Sequence, residues 1–345
     1  MPTDSLAPKA APTEKIFSTF RQTPQDIAAL HLDKRPSSQR YWFILNPKAN
    51  RGKAKSLMES LRLALRARGL ETVIQLTTAR GEATKFAADA MRKADVVVAC
   101  GGDGTINEVA QSLIGTNAVM GCVPVGSGND FSKMLSVAPN NVEDAVSHLF
   151  KSSVRLIDVG KVSFENDLYP ARYFTNTLGL GFSGRVAREA NRLTWLRGLL
   201  IYIVAVIKVV AGYKATRMRL TMHTPQGIQT YDDKVFMLSI GNGACEGGQF
   251  RTTPLALSDD GLLDVSVLRD ISKLAVPLWI MRFMQGSHVG KDGVRYTKAS
   301  RIEVEVMSGE TLHLDGEVFE NVSGKLTIDV HPAALRVLAP QVDSK

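Results

Sequence analysis

Val96-Val97-Val98-Ala99-Cys100-Gly101-Gly102-Asp103-Gly104-Thr105-Ile106-Asn107-Glu108 is the stretch on which the fold of this chain turns. Its apolar run, without polar alternation, predicts a strand buried on both faces, as in a parallel sheet. Thr105 and Glu108, three residues apart, read as a capping box opening the next helix. The turn between strand and helix, Gly101-Gly102-Asp103-Gly104, is nearly all glycine. Glycine permits positive φ and lets a second backbone or a phosphate come close, while the free amides of a helix N-terminus favour an anion. Asp103 sits inside that turn. A carboxylate beside phosphates repels them unless a divalent cation lies between, so the stretch implies Mg²⁺ together with a nucleotide. The plainer alternative is a tight turn with a solvated aspartate.

Strands and helices alternate on either side of this stretch. A strand over 41–45 leads to a helix over 53–68 closed by Gly69, then a strand over 72–76 and a helix over 82–94. Beyond Glu108 come a strand over 118–125, the loop Gly126-Ser127-Gly128-Asn129-Asp130 and a helix starting at Phe131. This order predicts a Rossmann-like parallel α/β nucleotide-binding domain over residues 39–155, with ligands beyond the carboxyl ends of its strands. Three of those ends carry polar or glycine-rich loops, at 46–52, 101–107 and 126–130. From about residue 156 short alternating segments take over, at 156–162, 173–178, 218–224, 228–240, 263–268, 301–306, 311–314 and 325–330. They predict a second, antiparallel β-sandwich-like domain over 156–330, and leave segment 331–345 free to return to the first domain. Residues 1–38, rich in Pro, Ser, Lys and Ala with a short helix signal at 23–30, read as a variable extension.

With 345 residues, 44% hydrophobic and 22% charged, the chain is long enough for two cores. Cys100, Cys122 and Cys245 have neither disulfide-framework nor metal-ligand spacing, which suits a reducing cytoplasm. The N-terminus has no signal-peptide core, and the apolar run 198–207 is far short of the ~20 residues that span a bilayer. A net charge of +8 points to anionic partners. No aromatic-basic platform supports nucleic-acid binding. His223, His288, His313 and His331 have no partners at metal spacing. The block 184–213 combines Arg185, Arg188, Arg192, Arg197 and Lys208 with Trp195, Tyr202 and the apolar run. Such a helix can rest on an anionic membrane or pack into the second core.

Four motifs in order, Asn46-Pro47, Gly101-Gly102-Asp103-Gly104-Thr105, Gly126-Ser127-Gly128-Asn129-Asp130-Phe131 and Leu314-Asp315-Gly316-Glu317, make the chain resemble the diacylglycerol kinase catalytic family. These are bacterial soluble lipid kinases related to sphingosine and ceramide kinases. Ile240-Gly241-Asn242-Gly243, Gly247-Gly248, Pro254 and Asp259-Asp260-Gly261-Leu262-Leu263-Asp264 extend the resemblance into the second domain. Gly-Gly-Asp-Gly-Thr alone is shared with NAD kinases and more loosely with phosphofructokinases. The chain departs from the family at Ser127, usually Thr, and at Ser132, usually Ala.

The resemblance implies ATP held by Asn46, Pro47, Lys48, Ala49, Asn50, Thr77, Gly101, Gly102, Asp103, Gly104, Thr105, Ile106, Asn107 and Ser127. It implies active-site Mg²⁺ at Asp103 and Asp130, a second metal at the Asp260 side chain and the Leu257 and Leu262 carbonyls, and Glu317 as general base. Asp315 beside it is the rival for that role, since Gly316 leaves open which acid faces the site. Lys48, Arg51 and Lys53 either reach phosphates or begin a solvated basic helix. The expected activity is transfer of the ATP γ-phosphoryl group to a lipid hydroxyl, diacylglycerol first, by a cytoplasmic enzyme peripheral to the inner face of the membrane. The expected partners are ATP and a lipid at the membrane surface, with a homodimer left open. Sphingoid, phosphatidylglycerol and polyprenol acceptors, an NAD-kinase-like soluble substrate and a non-catalytic binding protein are the alternatives.

Overall fold

The computed structural model describes residues 40–49, 53–67, 72–126, 128–137, 142–165, 169–193 and 199–340. The expectations for residues 1–38, Asn50, Arg51, Ser127, Trp195 and Arg197 fall outside them.

Among the described residues the strands join into one mixed sheet of thirteen. Its parallel half runs β2 (Val73–Leu76), β1 (Tyr41–Leu45), β3 (Val96–Gly101), β4 (Val119–Pro124) and then the last residues of β13 (Glu317–Ala339). Both β3 and β4 are buried along their whole length, as apolar runs without alternation require. The helices α1 (Lys53–Arg66), α2 (Glu82–Ala90), α3 (Asp103–Leu113), α4 (Asp130–Met134) and α5 (Val142–Lys151) complete this half. Its core gathers Phe43, Leu61, Val98, Ile106, Leu113 and Leu149.

The expected capping box does not form. The helix begins three residues earlier, at Asp103, with Gly102 rather than Thr105 at the N-cap and no side-chain cap bond. Thr105 and Glu108 are recruited by neighbours instead: Asn46 Nδ2 donates to Thr105 Oγ1 at 3.2 Å, and the Ala83 amide to Glu108 Oε2 at 3.2 Å. The glycines of the turn are not at positive φ either. They allow close approach. A Cβ added to Gly126 would lie 2.6 Å from the Gly102 Cα, so two loops touch backbone to backbone.

The second half is built from β5 (Ser153–Phe164), β6 (Arg172–Phe174), β7 (Thr177–Gly181), β8 (Thr216–Thr224), β9 (Gly227–Gly241), β10 (Leu263–Arg269), β11 (Val294–Ala299), β12 (Arg301–Leu314) and most of β13. Along β12 and β9, β7 pairs at one end and β8 at the other, so the strands enclose a single apolar core with Phe174, Leu220, Ile240, Val304 and Ile328 inside. The expected strand 173–178 is broken at Thr175 and Asn176, whose amides leave the ladder for the Asp315 carboxylate. Conversely, the segments at 325–330 and beyond are one strand, β13, irregular between His331 and Leu335. It pairs antiparallel with β12 and β5 and, at Arg336 and Val337, parallel with β4.

The expected helical block 184–213 is two helices, α6 (Phe182–Arg192) and α7 (Leu199–Gly212). The sequence had offered no expectation for α8 (Val276–Gln285), which follows a single 3₁₀ turn at Lys273–Ala275. α6, α7 and α8 share a third apolar cluster that includes Val206, Phe236, Trp279 and Phe283. No helix among the described residues is long and apolar enough to cross a membrane.

Candidate active site

The loops at the carboxyl ends of β1, β2, β3 and β4 open onto one cavity of about 1350 Å³, which continues between α6, α7 and α8. Asn46, Lys48, Ala49, Thr77, Gly102, Asp103, Gly104, Thr105, Asn107 and Asp130 line its polar end. Short bonds tie these loops together. The Asn46 amide bonds the Cys100 carbonyl, the Thr77 amide the Leu45 carbonyl, and Lys48 Nζ reaches the Thr78 carbonyl at 3.0 Å. A Cβ on Gly104 would meet nothing, which leaves room at the start of α3. Three of the described residues of the expected nucleotide set do not line the cavity. Pro47 turns the first loop, Gly101 packs beneath Thr105, and Ile106 is buried in the first core.

Asp103 and Asp130 converge above Gly128, where an added Cβ would lie 2.7 Å from Asp103 Oδ2 and 3.5 Å from Asp130 Oδ2. Asp103 accepts the Asn129 amide at 2.8 Å and the Asp130 amide at 2.8 Å, so it holds the third loop as well as facing the cavity. Asp130 accepts the Gly248 amide at 2.9 Å, and Lys133 Nζ stands 3.6 Å away. Burial raises the Asp103 carboxyl above its ordinary value. Burial, and then the charge of Asp103, push Asp130 up to about 7, against the pull of the Gly248 amide and Lys133. Two adjacent buried carboxylates with so little compensating positive charge fit a hard divalent cation, which takes oxygen ligands.

The hairpin between β12 and β13 separates the two candidate bases. Asp315 and Gly316 are both at positive φ, 48° and 85°, the conformation of a two-residue turn that matches strand twist. Asp315 turns inward. Its carboxylate accepts the amides of Thr175, Asn176 and Thr177 at 2.8, 3.1 and 2.8 Å, and Asn107 Nδ2 at 3.2 Å. Asn107 thereby joins the two halves. Glu317 lies at the cavity edge, with Oε1 2.9 Å from Arg80 Nη2.

At the expected second metal position a lysine ammonium already stands. Lys298 Nζ lies 2.6 Å from Asp260 Oδ2 and 3.2 Å from Asp264 Oδ2, while Asp260 Oδ1 accepts the Leu262 amide at 3.1 Å. Asp260 with the Leu257 and Leu262 carbonyls therefore does not fit a divalent cation while Lys298 stays in place. Among the described residues no three His, Cys, Asp or Glu side chains are grouped to hold a metal.

Several cavity residues carry no motif. Arg80 is one. Glu246 Oε2 and His313 Nε2 are 3.4 Å apart, too poorly placed for a hydrogen bond, and Glu246 Oε2, His313 Nδ1 and Ser183 Oγ are buried without a hydrogen-bond partner. The acid beside Gly247-Gly248 was the one available signal for Glu246. Beyond this junction the lining turns apolar, with Phe182, Val206, Phe236, Leu268, Trp279 and Phe283.

Comparison with known proteins agrees with this geometry. Residues 40–162 match the diacylglycerol kinase catalytic domain, and residues 176–339 the YegS C-terminal NAD kinase beta sandwich-like domain. A "Probable lipid kinase YegS-like" protein of Pectobacterium atrosepticum is 30% identical over 284 residues, 80% of this chain and 89% of the relative. A diacylglycerol kinase of Mycobacterium tuberculosis is 27% identical over 299 residues, 86% of this chain and 94% of the relative. A crystal structure of a diacylglycerol kinase from Bacillus anthracis superimposes with a TM-score of 0.66 at 22% identity, over 88% of this chain and 98% of that one, a likeness of fold. With glycine loops and acids at one end of its cavity and apolar helices at the other, this chain belongs to the diacylglycerol kinase family of lipid kinases.

Proposed function

We propose that the chain transfers the γ-phosphoryl group of ATP to a lipid hydroxyl, diacylglycerol being the first acceptor to test. The observation that carries this reading is the single cavity that joins a polar, loop-built end to a long apolar end. Phosphoryl transfer needs positioning and charge neutralisation rather than covalent chemistry from the protein. Asn46, Lys48, Thr77 and the turn Gly102–Thr105 hold and orient the nucleotide phosphates, joined by Asn50 of the first loop and Ser127 of the loop after β4. Asp103 and Asp130 would hold Mg²⁺, which neutralises phosphate charge when bound. Glu317 accepts the proton of the attacking hydroxyl, because Asp315 is committed to backbone amides and Glu317 is not. Arg80 orients the Glu317 carboxylate.

The apolar end disfavours a polar substrate such as NAD, and the enzyme acts from the cytoplasmic face on lipid drawn from the membrane. The test is transfer of labelled γ-phosphate to purified diacylglycerol, sphingoid base, phosphatidylglycerol, polyprenol and NAD. Label in a lipid and none in NAD is expected. Label in NAD alone, or in nothing, removes the proposal.

A further inference from the structure

The neck of the cavity, between the phosphate loops and the apolar helices, carries three polar side chains that phosphoryl transfer does not use. Ser183 is the second residue of α6, Glu246 lies in the loop after β9, and His313 is the penultimate residue of β12. They meet over Gly179. A Cβ added there would lie 2.2 Å from His313 Nε2 and 2.4 Å from Ser183 Oγ, and Glu246 Oε2 stands 3.4 Å from the same His313 nitrogen. Ser183 is 7% exposed and His313 4%, yet Ser183 Oγ, His313 Nδ1 and Glu246 Oε2 have no hydrogen-bond partner among the described residues. Buried polar atoms left unsatisfied are costly, and three of them opening on one cavity mark a place where a ligand supplies the partners.

Glu246 decides what that ligand presents. Its one ion-pair contact among the described residues is His313, and a carboxylate accepts hydrogen bonds but donates none. Backbone bonds between Glu246 and Phe250, at 2.8 and 3.0 Å, fix the loop, and the Tyr202 ring packs against Gly247. The neck also adjoins the reacting centre. Gly248, two residues on from Glu246, gives its amide to Asp130, and Glu317 is four residues on from His313 across the same hairpin. The charge of Glu246 is felt at Asp130. Glu246 therefore meets the part of an acceptor beside its reacting hydroxyl, before the chains enter the apolar end. An ester there turns only oxygen lone pairs toward the carboxylate, which repels them. An amine or a second hydroxyl supplies the missing donor, and an ammonium supplies the missing charge as well.

We infer that Glu246, with His313 and Ser183, selects acceptors that carry a hydrogen-bond donor, amine or hydroxyl, beside the hydroxyl to be phosphorylated, and disfavours acceptors that carry only esters or ethers there. The inference deepens the lipid-kinase reading and rests on it. Four acceptors of one chain length test it, presented to the full-length protein in the same detergent micelles: dodecanol, dodecanol with a methoxy group on the next carbon, the vicinal diol and the vicinal amino alcohol. The wild type is expected to use the diol or the amino alcohol at least about tenfold better in kcat/KM than the other two. Glu246→Leu is expected to erase that preference while melting no lower than the wild type, since it removes a buried carboxylate without a basic partner. Ser183→Ala, a small change in a packed site, is the second variant and is expected to narrow the preference by about threefold or more.

Glu246→Gln keeps an accepting oxygen and loses the charge. Loss of the amino alcohol alone identifies an ammonium as the donor, and retention of the diol preference identifies a hydroxyl; either upholds the inference. Equal use of all four acceptors by the wild type overturns it, and so does a preference that Glu246→Leu and Ser183→Ala leave intact. Calorimetric binding of the same compounds without ATP separates the two readings. Binding that favours the donor and depends on Glu246, with no transfer to any acceptor, upholds the neck and defeats the kinase reading. Transfer to dioctanoylglycerol with no discrimination at Glu246 keeps the kinase reading and overturns the inference.

Discussion

Arg80 and Glu317 form an ion pair, 2.9 Å from Nη2 to Oε1, between the loop after β2 and the hairpin that ends β12. It spans the two halves of the molecule at the cavity edge. The Arg80 side chain is 76% exposed and that of Glu317 34%, so the pair contributes little to stability and its consequence lies in orientation. Glu317→Gln is expected to lower kcat by about 10²–10⁴-fold and to leave nucleotide affinity and melting temperature unchanged. Arg80→Ala should lower kcat by a smaller factor, about tenfold, with the same melting temperature. Both follow from steady-state kinetics and nucleotide titration, and full turnover by Glu317→Gln would exclude it as base.

Asp315 supplies the contrast. Its carboxylate is enclosed and receives three backbone amides, so Asp315→Asn turns an amide group toward donors it cannot satisfy. The expected cost is about 1–3 kcal/mol in chemical denaturation. Activity falls with it because the hairpin that presents Glu317 loses its anchor. An Asp315→Asn protein as stable as the wild type but inactive would instead make Asp315 the chemical participant.

The raised carboxyl of Asp130, at about 7, fixes the sign of a pH effect. An unfolded aspartate titrates near ~3.9, so between about pH 4 and pH 7 the folded protein binds the extra proton. Asp130 therefore makes stability fall as pH rises through that window and level off above it. Asp158, buried and pushed up to about 6, acts in the same sense over its lower part. Asp130→Asn should flatten the decline and raise the melting temperature above pH 7. Mg²⁺ should stabilise the wild type more at pH 8 than at pH 5, and should lose most of that effect in Asp130→Asn.

Lys298 makes a separate claim about metal in the second half. With its ammonium between Asp260 and Asp264, stabilisation by Mg²⁺ should not depend on Asp260 in the wild type. Lys298→Met removes the cation while keeping much of the stem, and leaves two carboxylates unpaired. That variant is expected to melt lower and to recover with Mg²⁺, the recovery disappearing in Lys298→Met/Asp260→Asn. A wild type whose Mg²⁺ response is lost on Asp260→Asn alone would show that the metal displaces the lysine.

The alternation of strands and helices from residue 41 to 134 was legible because each element carries its own period and its own turn. Asp103 was legible because a carboxylate inside a glycine turn is uncommon without a cation, and Asp130 and Glu317 were reached only through the family resemblance. What escaped depended on partners distant in sequence. Thr105 and Glu108 had the spacing of a capping box, but Asn46 and Ala83 claimed them. The strand at 173–178 looked continuous until Asp315, 140 residues away from Thr175, drew off its amides. α8 was missed because its ten residues mix Pro, Trp and Met with one charge, and its apolar face points both ways, to the core and outward. The choice between Asp315 and Glu317 could not be made from adjacency, since it depends on which acid the hairpin turns inward.

Strand β13 imposes an order on biosynthesis. β4 is buried from end to end, and its outer edge is covered only when Arg336 and Val337 arrive beside Val119 and Met120. The parallel half thus leaves the ribosome ahead of its covering strand and stays an open-edged sheet until residue 337 has been made. A fragment ending near residue 162 would bear that naked edge permanently, and a nascent chain stalled before residue 335 would be prone to self-association.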